Sequence, residues 1–225
     1  MKRSEINKYI KHAVEFIQSH GWVLPPFAHW TPRQWGEAGS EADEARACRL
    51  GWDVTDFDAG RFEQFGNLLF TVRNGLPSGQ AKPYAEKVMV VREGQHVPLH
   101  FHFKKTEDII NRGRGILVLE MFHSTMDHGK ADDAVTVWCD GFRRTVPGGG
   151  QVTLNPGESI TLPPRMYHRF WAAPGTGTLF VGEVSSVNDD TKDNHHLDPL
   201  PRFCTIEEDE PPEQLLCGEY PPTSA

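Results

Sequence analysis

Residues 98 to 108, PLHFHFKKTED, hold two histidines, two lysines and two acids within eleven positions. In an extended strand successive side chains point to opposite faces, so His100 and His102 project to one side and Phe101 to the other. Two imidazoles placed in this way can share one metal ion. Glu107, beyond the turn suggested by Lys104 and Lys105, can swing back as a carboxylate ligand. A further ligand has to come from elsewhere, and His168 is the candidate. In GESITLPPRMYH it follows a strand and a proline-stiffened turn, a setting that fixes a side chain in position. Three neutral imidazoles and one carboxylate leave one or two positions open on a divalent ion such as Mn²⁺, Fe²⁺ or Zn²⁺, which suits a bidentate oxygen ligand. An isolated HxH is a weak signal, because strand histidines are often surface or hydrogen-bonded core residues.

Three further residues bear on the reaction. In PYAEKVMVV, Lys87 shares a strand face with Met89 and Val91, which points a positive charge toward an apolar interior; the alternative is an edge-strand lysine on the solvent side. Lys105 lies in the turn between the metal-binding residues. Glu183, in FVGEVSSVNDD, joins Val181 on regular alternation and leaves that face only if the strand bulges. An inward acid beside apolar neighbours is expected to have a raised proton affinity, as a general acid or base needs. No cysteine or serine stands beside a histidine as a nucleophile. A Lewis acid, at least two carboxylates and one or two lysines suit proton transfer between adjacent carbons of a hydroxy-carbonyl compound, so aldose–ketose isomerisation fits. Asp189, Asp190 and Arg202 rank lower, since an acidic loop is usually just solvated.

The elements that must position these residues come in three blocks. From Ser4 to His20, Ile6, Tyr9, Ile10, Ala13, Val14 and Ile17 line one helical face, and Gly21 follows as a stop. TPRQW writes a second helix start, with Thr31 as cap, Pro32 at the first helical position and Gln34 closing a capping box. A third helical segment runs from Ser40 to Leu50, so residues 1–60 read as a helical lead-in. Residues 61–187 then carry short β-branched and aromatic runs punctuated by glycine and proline: LLFTVRNG, AEKVMVVREG, GILVLEMFH, AVTVWCDG, QVTLNPGESITLP, YHRFWA and TLFVGEVSSV. Seven or so strands at this spacing predict a sandwich or barrel, with CDGFRR and LNPGES as hairpin turns. Residues 188–225 form an acidic, proline-interrupted tail that Phe203, Ile206, Leu215 and Leu216 can anchor on the barrel. The whole, 1–225, reads as one domain.

Composition narrows the classes. With 23 basic and 31 acidic residues among 225, the net charge of −8 disfavours nonspecific binding to nucleic acid or anionic lipid. No apolar stretch approaches the ~18 residues of a spanning helix, and the charged N-terminal segment lacks a signal-peptide centre, so a cytoplasmic protein is expected. Cys48, Cys139, Cys204 and Cys217 lie far apart without a CxxC pair and read as free thiols.

Gly94, five residues, His100-x-His102, four residues and Glu107, followed by glycines at 113 and 115, resemble the first cupin motif. Gly157, five residues, Pro163 and then His168 resemble the second. The closing glycine of the first half is displaced by one position to either side, and the second half has Arg165 in place of glycine and Ala172 in place of asparagine; none of these removes a ligand. The resemblance implies a mainly β fold, a double-stranded β-helix or jelly-roll barrel with the metal inside. LGWDVTDF, YAEKVMVVREGQHVPLHFHFKKTEDIINRGRG, LPPRMYHRFWA and GEVSSVNDDTKDNH, together with LPPFA and EEDEP, resemble the D-lyxose ketol-isomerase family of sugar-isomerising cupins over most of the chain. That resemblance implies interconversion of D-lyxose and D-xylulose, often with D-mannose and D-fructose, using Mn²⁺ by preference; Co²⁺, Fe²⁺ or Zn²⁺ are substitutes. It maps His100, His102, Glu107 and His168 onto metal ligands, and Lys87, Lys105 and Glu183 onto polar groups around the sugar. Glu183 is then the proton-transfer base, Lys87 steadies the enediolate oxygen, and Glu107 is a ligand that can double as base. A monosaccharide is the implied partner and a homodimer the implied assembly. An Fe²⁺ cupin dioxygenase with the same ligands and a noncatalytic sugar-binding cupin are the rival readings.

Overall fold

A computed structural model describes residues 1–76 and 82–222; residues 77–81, inside the expected barrel segment, and the last three residues of the expected tail lie outside the described residues. The chain opens with α1 (Arg3–Ser19), whose buried face is Ile6, Tyr9, Ile10, Ala13 and Ile17, five of the six residues that the 3.6-residue period selects. Helix α2 (Pro32–Glu37) starts as its sequence predicts, with the Thr31 side chain accepting from the Gln34 backbone and Gln34 reaching back to Thr31. The expected third helix is shorter than Ser40–Leu50: a 3₁₀ turn over Gly39–Ala42 leads into α3 (Asp43–Ala47).

Among the described residues fourteen strands follow: β1 (Gly51–Thr55), β2 (Asn67–Arg73), β3 (Tyr84–Val91), β4 (His100–His102), β5 (Glu107–Gly113), β6 (Leu117–Ser124), β7 (Lys130–Ala131), β8 (Val135–Cys139), β9 (Phe142–Val146), β10 (Gln151–Leu154), β11 (Ser159–Leu162), β12 (Met166–Ala172), β13 (Leu179–Ser186) and β14 (Asn194–His196). One sheet orders them β1-β2-β3-β13-β5-β11-β8-β9 and the other β10-β6-β12-β4-β14, with β7 appended to β6. The strand pairings are antiparallel throughout, and the two curled sheets face one another as a jelly-roll barrel.

Three sequence expectations are corrected. The chain enters the sheet at Gly51, so the lead-in stops short of residue 60; the fully buried run GWDVT lacks the alternation that marks a half-exposed strand. The tail supplies strand β14, which pairs with β4. LNPGES is a corner between sheets rather than a hairpin, since β10 pairs with β6 whereas β11 pairs with β5 and β8. Its glycine, at φ +94°, donates to the Asn111 carbonyl instead of to a neighbouring hairpin strand. A tight turn and a corner need the same residues, so turn chemistry alone does not separate them. CDGFRR is the expected hairpin between β8 and β9, with Asp140 and Gly141 both at positive φ.

Strand β3 is buried on both faces, which explains why its sequence is nearly continuous in hydrophobic residues. Met89 and Val91 join Ile109, Leu119, Met121, Leu162 and Val181 in the barrel core. Val88 and Val90 face outward and pack with Phe70 and Phe180 under Ile6, Ile10 and Ile17 of α1. The helix thus covers the outer face of the larger sheet and leaves the barrel interior to the side chains that share a face with Lys87.

Candidate active site

Each expected ligand arrives from a different part of this framework. His100 and His102 leave β4 on one face, while Phe101, fully buried, takes the other. Strand β12 lies beside β4 with His168 directly opposite His100. One ligand nitrogen from each of these three histidines lies within 4.8 Å of the others. His100 Nδ1 is 2.8 Å from the Pro98 carbonyl and His168 Nδ1 is 3.0 Å from the Met166 carbonyl, contacts that put the proton on Nδ1 and leave Nε2 with a free lone pair. Burial, and then the neighbouring histidines, hold His100 well below its ordinary pKa; burial and Lys105 lower His102. Both are therefore neutral, as ligands must be.

Glu107 opens β5 and reaches the same place. Its Oε1 is 3.0 Å from His168 Nε2 and 3.3 Å from His102 Nε2, yet this buried oxygen has no aligned hydrogen-bond donor among the described residues. A divalent ion shared by this oxygen and the facing nitrogens would satisfy them together, so the donor set fits such an ion. Glu107 Oε2 is satisfied separately, by Lys105 Nζ at 2.7 Å.

Beyond the ligands, the sheet register aligns the remaining expected residues. Glu183 on β13 is directly opposite Lys87 on β3. The bulge in β13 falls between Phe180 and Val181, ahead of both, so Glu183 keeps the inward face of Val181. Lys87 is 3% exposed, on an interior strand, which removes the edge-strand alternative. Lys105 Nζ donates to Glu183 Oε1 at 2.9 Å, and Lys87 Nζ approaches the same oxygen at 3.4 Å. The buried polar groups therefore form a continuous line, Lys87–Glu183–Lys105–Glu107, ending at the histidines. The expected rise in the proton affinity of Glu183 is not found. Burial pushes its carboxyl up, but Lys105 and Lys87 outweigh burial and hold it below the ordinary value. Alternation along a strand cannot disclose that two ammonium groups on other strands share the site. Glu107 behaves likewise, with burial overcome by Lys105 and the two histidines.

These residues line one cavity, open at its mouth, with Phe57, Asn67, Phe170, Asp190, Asn194, His196 and Arg202 in its wall. Asp190 and Arg202, ranked low from sequence, belong to it. Burial alone would raise the Asp190 carboxyl, but Arg202, with Lys87 and Lys105, drives it far below the carboxylate range. Asp189 instead closes a local turn onto Thr191. Sequence reading missed Asn188, whose Oδ1 accepts from Lys87 Nζ at 2.8 Å, and missed Asn194 and His196. The last two are set by β14, which puts Asn194 opposite His102 and His196 opposite His100. The string NHH carries a period-two signal too short to read without knowing its partner strand.

A jelly-roll barrel with three histidines and a carboxylate in its interior defines a cupin-like protein, and the buried acid–lysine line beside them suits a sugar isomerase. A profile described as D-lyxose isomerase matches residues 1–220. The chain is 49% identical over 223 residues to a D-lyxose/D-mannose isomerase of Escherichia coli O157:H7, and 48% identical over 223 residues to one of Serratia proteamaculans; each alignment covers 98% of both chains. The chain belongs to the D-lyxose isomerase family and is an aldose–ketose isomerase. L-ribose isomerase of Cellulomonas parahominis, solved with L-ribose, shares the fold at 18% identity and a TM-score of 0.55, covering 92% of this chain and 98% of that one. L-ribose isomerase of Geodermatophilus obscurus does so at 16% identity and a TM-score of 0.54, with the same coverage.

Proposed function

We propose that this isomerase interconverts D-lyxose and D-xylulose, with D-mannose and D-fructose as a second pair, by proton transfer through an enediol. The observation that carries the mechanism is the Lys87–Glu183–Lys105 contact set buried beside the histidines, where two ammonium groups keep one carboxylate ionised. A divalent ion, Mn²⁺ by preference, would be held by His100, His102, His168 and Glu107, and when bound supplies Lewis-acid polarisation of the carbonyl and adjacent hydroxyl oxygens.

The chain's own groups move the protons. Glu183, ionised, takes the proton from C2 of the aldose; its electron pair forms the C1–C2 double bond of the enediol. Lys87 donates a proton to O1 and recovers one from O2, so its charge is restored at the end of the turnover. Glu183 then returns its proton to C1, giving the ketose. Lys105 keeps Glu183 oriented from one side and Glu107 from becoming a free base on the other, with Nζ 2.9 Å and 2.7 Å from the two carboxylates. Burial excludes bulk water, which strengthens each of these charges on the developing enediolate.

Conversion of D-lyxose and D-mannose by the Mn²⁺-loaded protein under anaerobic conditions, followed by ketose analysis, tests the reaction. Formation of both ketoses is expected; no ketose from either sugar overturns the reading. Running the reaction in D₂O tests the route: deuterium at C1 of the ketose, gained when Glu183 exchanges its proton with solvent before returning it, supports the enediol, and its complete absence favours a hydride shift. By the same reading the protein is a cytoplasmic homodimer. Four unpaired thiols suit a reducing compartment. The open sheet edge at β9, where Phe142 is 75% exposed, offers an interface that sedimentation can check.

A further inference from the structure

Asn188 stands behind the cavity wall rather than in it, past the end of β13, yet it makes the hydrogen bond that holds Lys87. An ammonium group only donates, so the amide atom facing it is the oxygen, and Asn188 Oδ1 lies 2.8 Å from Lys87 Nζ. Among the described residues Lys87 Nζ has no other hydrogen bond; its approach to Glu183 Oε1, at 3.4 Å, is a charge contact without the alignment of one. Lys105 is held differently. Its Nζ donates to Glu183 at 2.9 Å and pairs with Glu107 at 2.7 Å, its backbone N–H donates to Asp193 at 3.0 Å, and its contact with Asn188 Oδ1 is a long 3.5 Å.

A loop residue beyond a strand has no ladder to fix it, and here one side chain takes the ladder's place. Asn74, directly after β2, accepts the Asn188 N–H through Oδ1 at 3.0 Å. Through Nδ2 it donates to the Asn188 carbonyl at 3.0 Å and to the Cys48 carbonyl, at the end of α3, at 3.2 Å. Both asparagines are buried, at 5% and 7% exposure, so water competes little for these bonds. Asn74 thus ties both backbone groups of Asn188 to the end of α3, and the Asn188 amide passes that fixed position on to the lysine.

We propose that Asn188 is a positioning residue for Lys87 and that Asn74 acts through it, the two together holding the ammonium group off Glu183 so that both remain available to the sugar. The inference rests on the reading of Lys87 and Glu183 as the proton-transfer groups. The neutrality of the acceptor matters. An unanchored ammonium beside a carboxylate closes to a charge-assisted hydrogen bond, which would occupy the oxygen that has to take the proton from carbon. An amide oxygen anchors the lysine without cancelling its charge.

Kinetics and crystal structures of the Mn²⁺-loaded variants decide the matter. Asn188→Leu, close in size but without an acceptor, is expected to lower kcat by about 10–100-fold, with KM for D-lyxose and metal content within about twofold of wild type. In the Lys87→Ala background the same substitution should change the remaining kcat by less than about twofold, because no lysine is left to position. A larger loss in that background, or wild-type kcat in Asn188→Leu alone, overturns the inference, since a residue that merely supports the fold acts with or without Lys87. In crystals of Asn188→Leu, Lys87 Nζ is expected within about 3 Å of Glu183 Oε1. A lysine that stays at 3.4 Å overturns the inference whatever the kinetics. Asn74→Asp keeps the acceptor for the Asn188 N–H but sets a carboxylate against two carbonyls; a kcat lowered about tenfold with the same split is expected, and it decides the matter if Asn188→Leu does not fold. Wild-type kcat in Asn74→Asp overturns the relay through Asn74. Wild-type kcat in Lys87→Ala would instead overturn the proton-transfer reading, and the place of Lys87 in the Asn188→Leu crystals would still support or overturn its anchoring by Asn188.

Discussion

At the scale of single residues, the decisive feature is that three imidazoles, two carboxylates and two ammonium groups are packed around one cavity. Glu107 uses one oxygen toward His102 and His168 and the other toward Lys105. Removing an imidazole and removing a lysine should therefore have separable consequences. His168→Ala takes away a lone pair whose orientation is fixed by Met166, and metal content after dialysis should fall by more than the roughly 10–100-fold expected for loss of a mere supporting group, with activity following it. Lys87→Ala leaves every expected ligand in place, so the metal content should stay at the wild-type value while kcat drops by about 10²–10⁴, the range for a positioned proton donor. If both variants keep wild-type rates, the cavity is not the reaction site. Glu183→Gln should match Lys87→Ala in kcat and also abolish solvent deuterium incorporation during prolonged incubation. The imidazoles and Glu107 were legible in the sequence because two of them lie two residues apart on a strand and the others follow at motif spacings. The ionisation of Glu183 was not, because it depends on Lys105 and Lys87 reaching one oxygen from two other strands.

At the scale of elements, β4 is three residues long and carries two of the expected ligands, so its placement depends on what grips it from outside. Strand β12 and strand β14 pair with its two edges. A third hold comes from Arg165, the residue that departs from the expected glycine. It adopts φ +62°, a left-handed conformation unfavourable for a side chain with a Cβ. In that conformation its backbone N–H donates to the His102 carbonyl at 2.7 Å, and its guanidinium lies 5.4 Å from the Phe101 ring and donates to the Thr125 carbonyl at 3.2 Å. The arginine therefore clamps the outer face of the strand whose inner face holds the imidazoles. Arg165→Gly relieves the backbone strain and keeps the N–H bond to His102 but removes the guanidinium contacts to Phe101 and Thr125. The expected result is a metal affinity lowered by about tenfold with little change in Tm, measured by titration with Mn²⁺. An unchanged affinity would show that backbone hydrogen bonding alone fixes β4. The alternation of His-Phe-His disclosed which side chains point inward, whereas the closing strand β14 was hidden because its pairing partner lies some ninety residues earlier in the chain.

At the scale of the molecule, the acidic tail is a strap that runs from the cavity to the start of α1. Asp190, Asn194 and Arg202 line the cavity, Leu216 joins the cluster under α1, and Cys217 N–H donates to the Trp52 carbonyl. The tail's acids gather at the start of the helix, where Arg3 N–H donates to the Glu207 carbonyl and Ser4 N–H to Asp209 Oδ1, and where Arg3 is buried at 1% exposure. Arg3 Nη2 is 2.6 Å from Glu208 and also pairs with Glu219, while Asn7 donates to Glu210 and to the Pro211 carbonyl. Arg3→Met should destabilise the protein by roughly 2 kcal/mol, because it removes charge-assisted bonds while the partly exposed glutamates return to water. For a chain of this size that is a Tm lower by about 4–8 °C. The effect has a defined pH sign. Hydrogen bonding to Arg3 holds the Glu208 carboxyl below its ordinary value of 4.5, so the stabilisation is fully present above that pH and is lost as the pH falls through the depressed value. The gap in Tm between wild type and Arg3→Met should accordingly be constant between pH 6 and 8 and shrink as the pH is taken below 4.5. A gap that widens in acid would mean that the strap is held by something other than these carboxylates. Because Arg202 is fixed by Asp53 and Asp190 rather than by Arg3, kcat measured well below the variant's Tm should stay within about twofold of wild type.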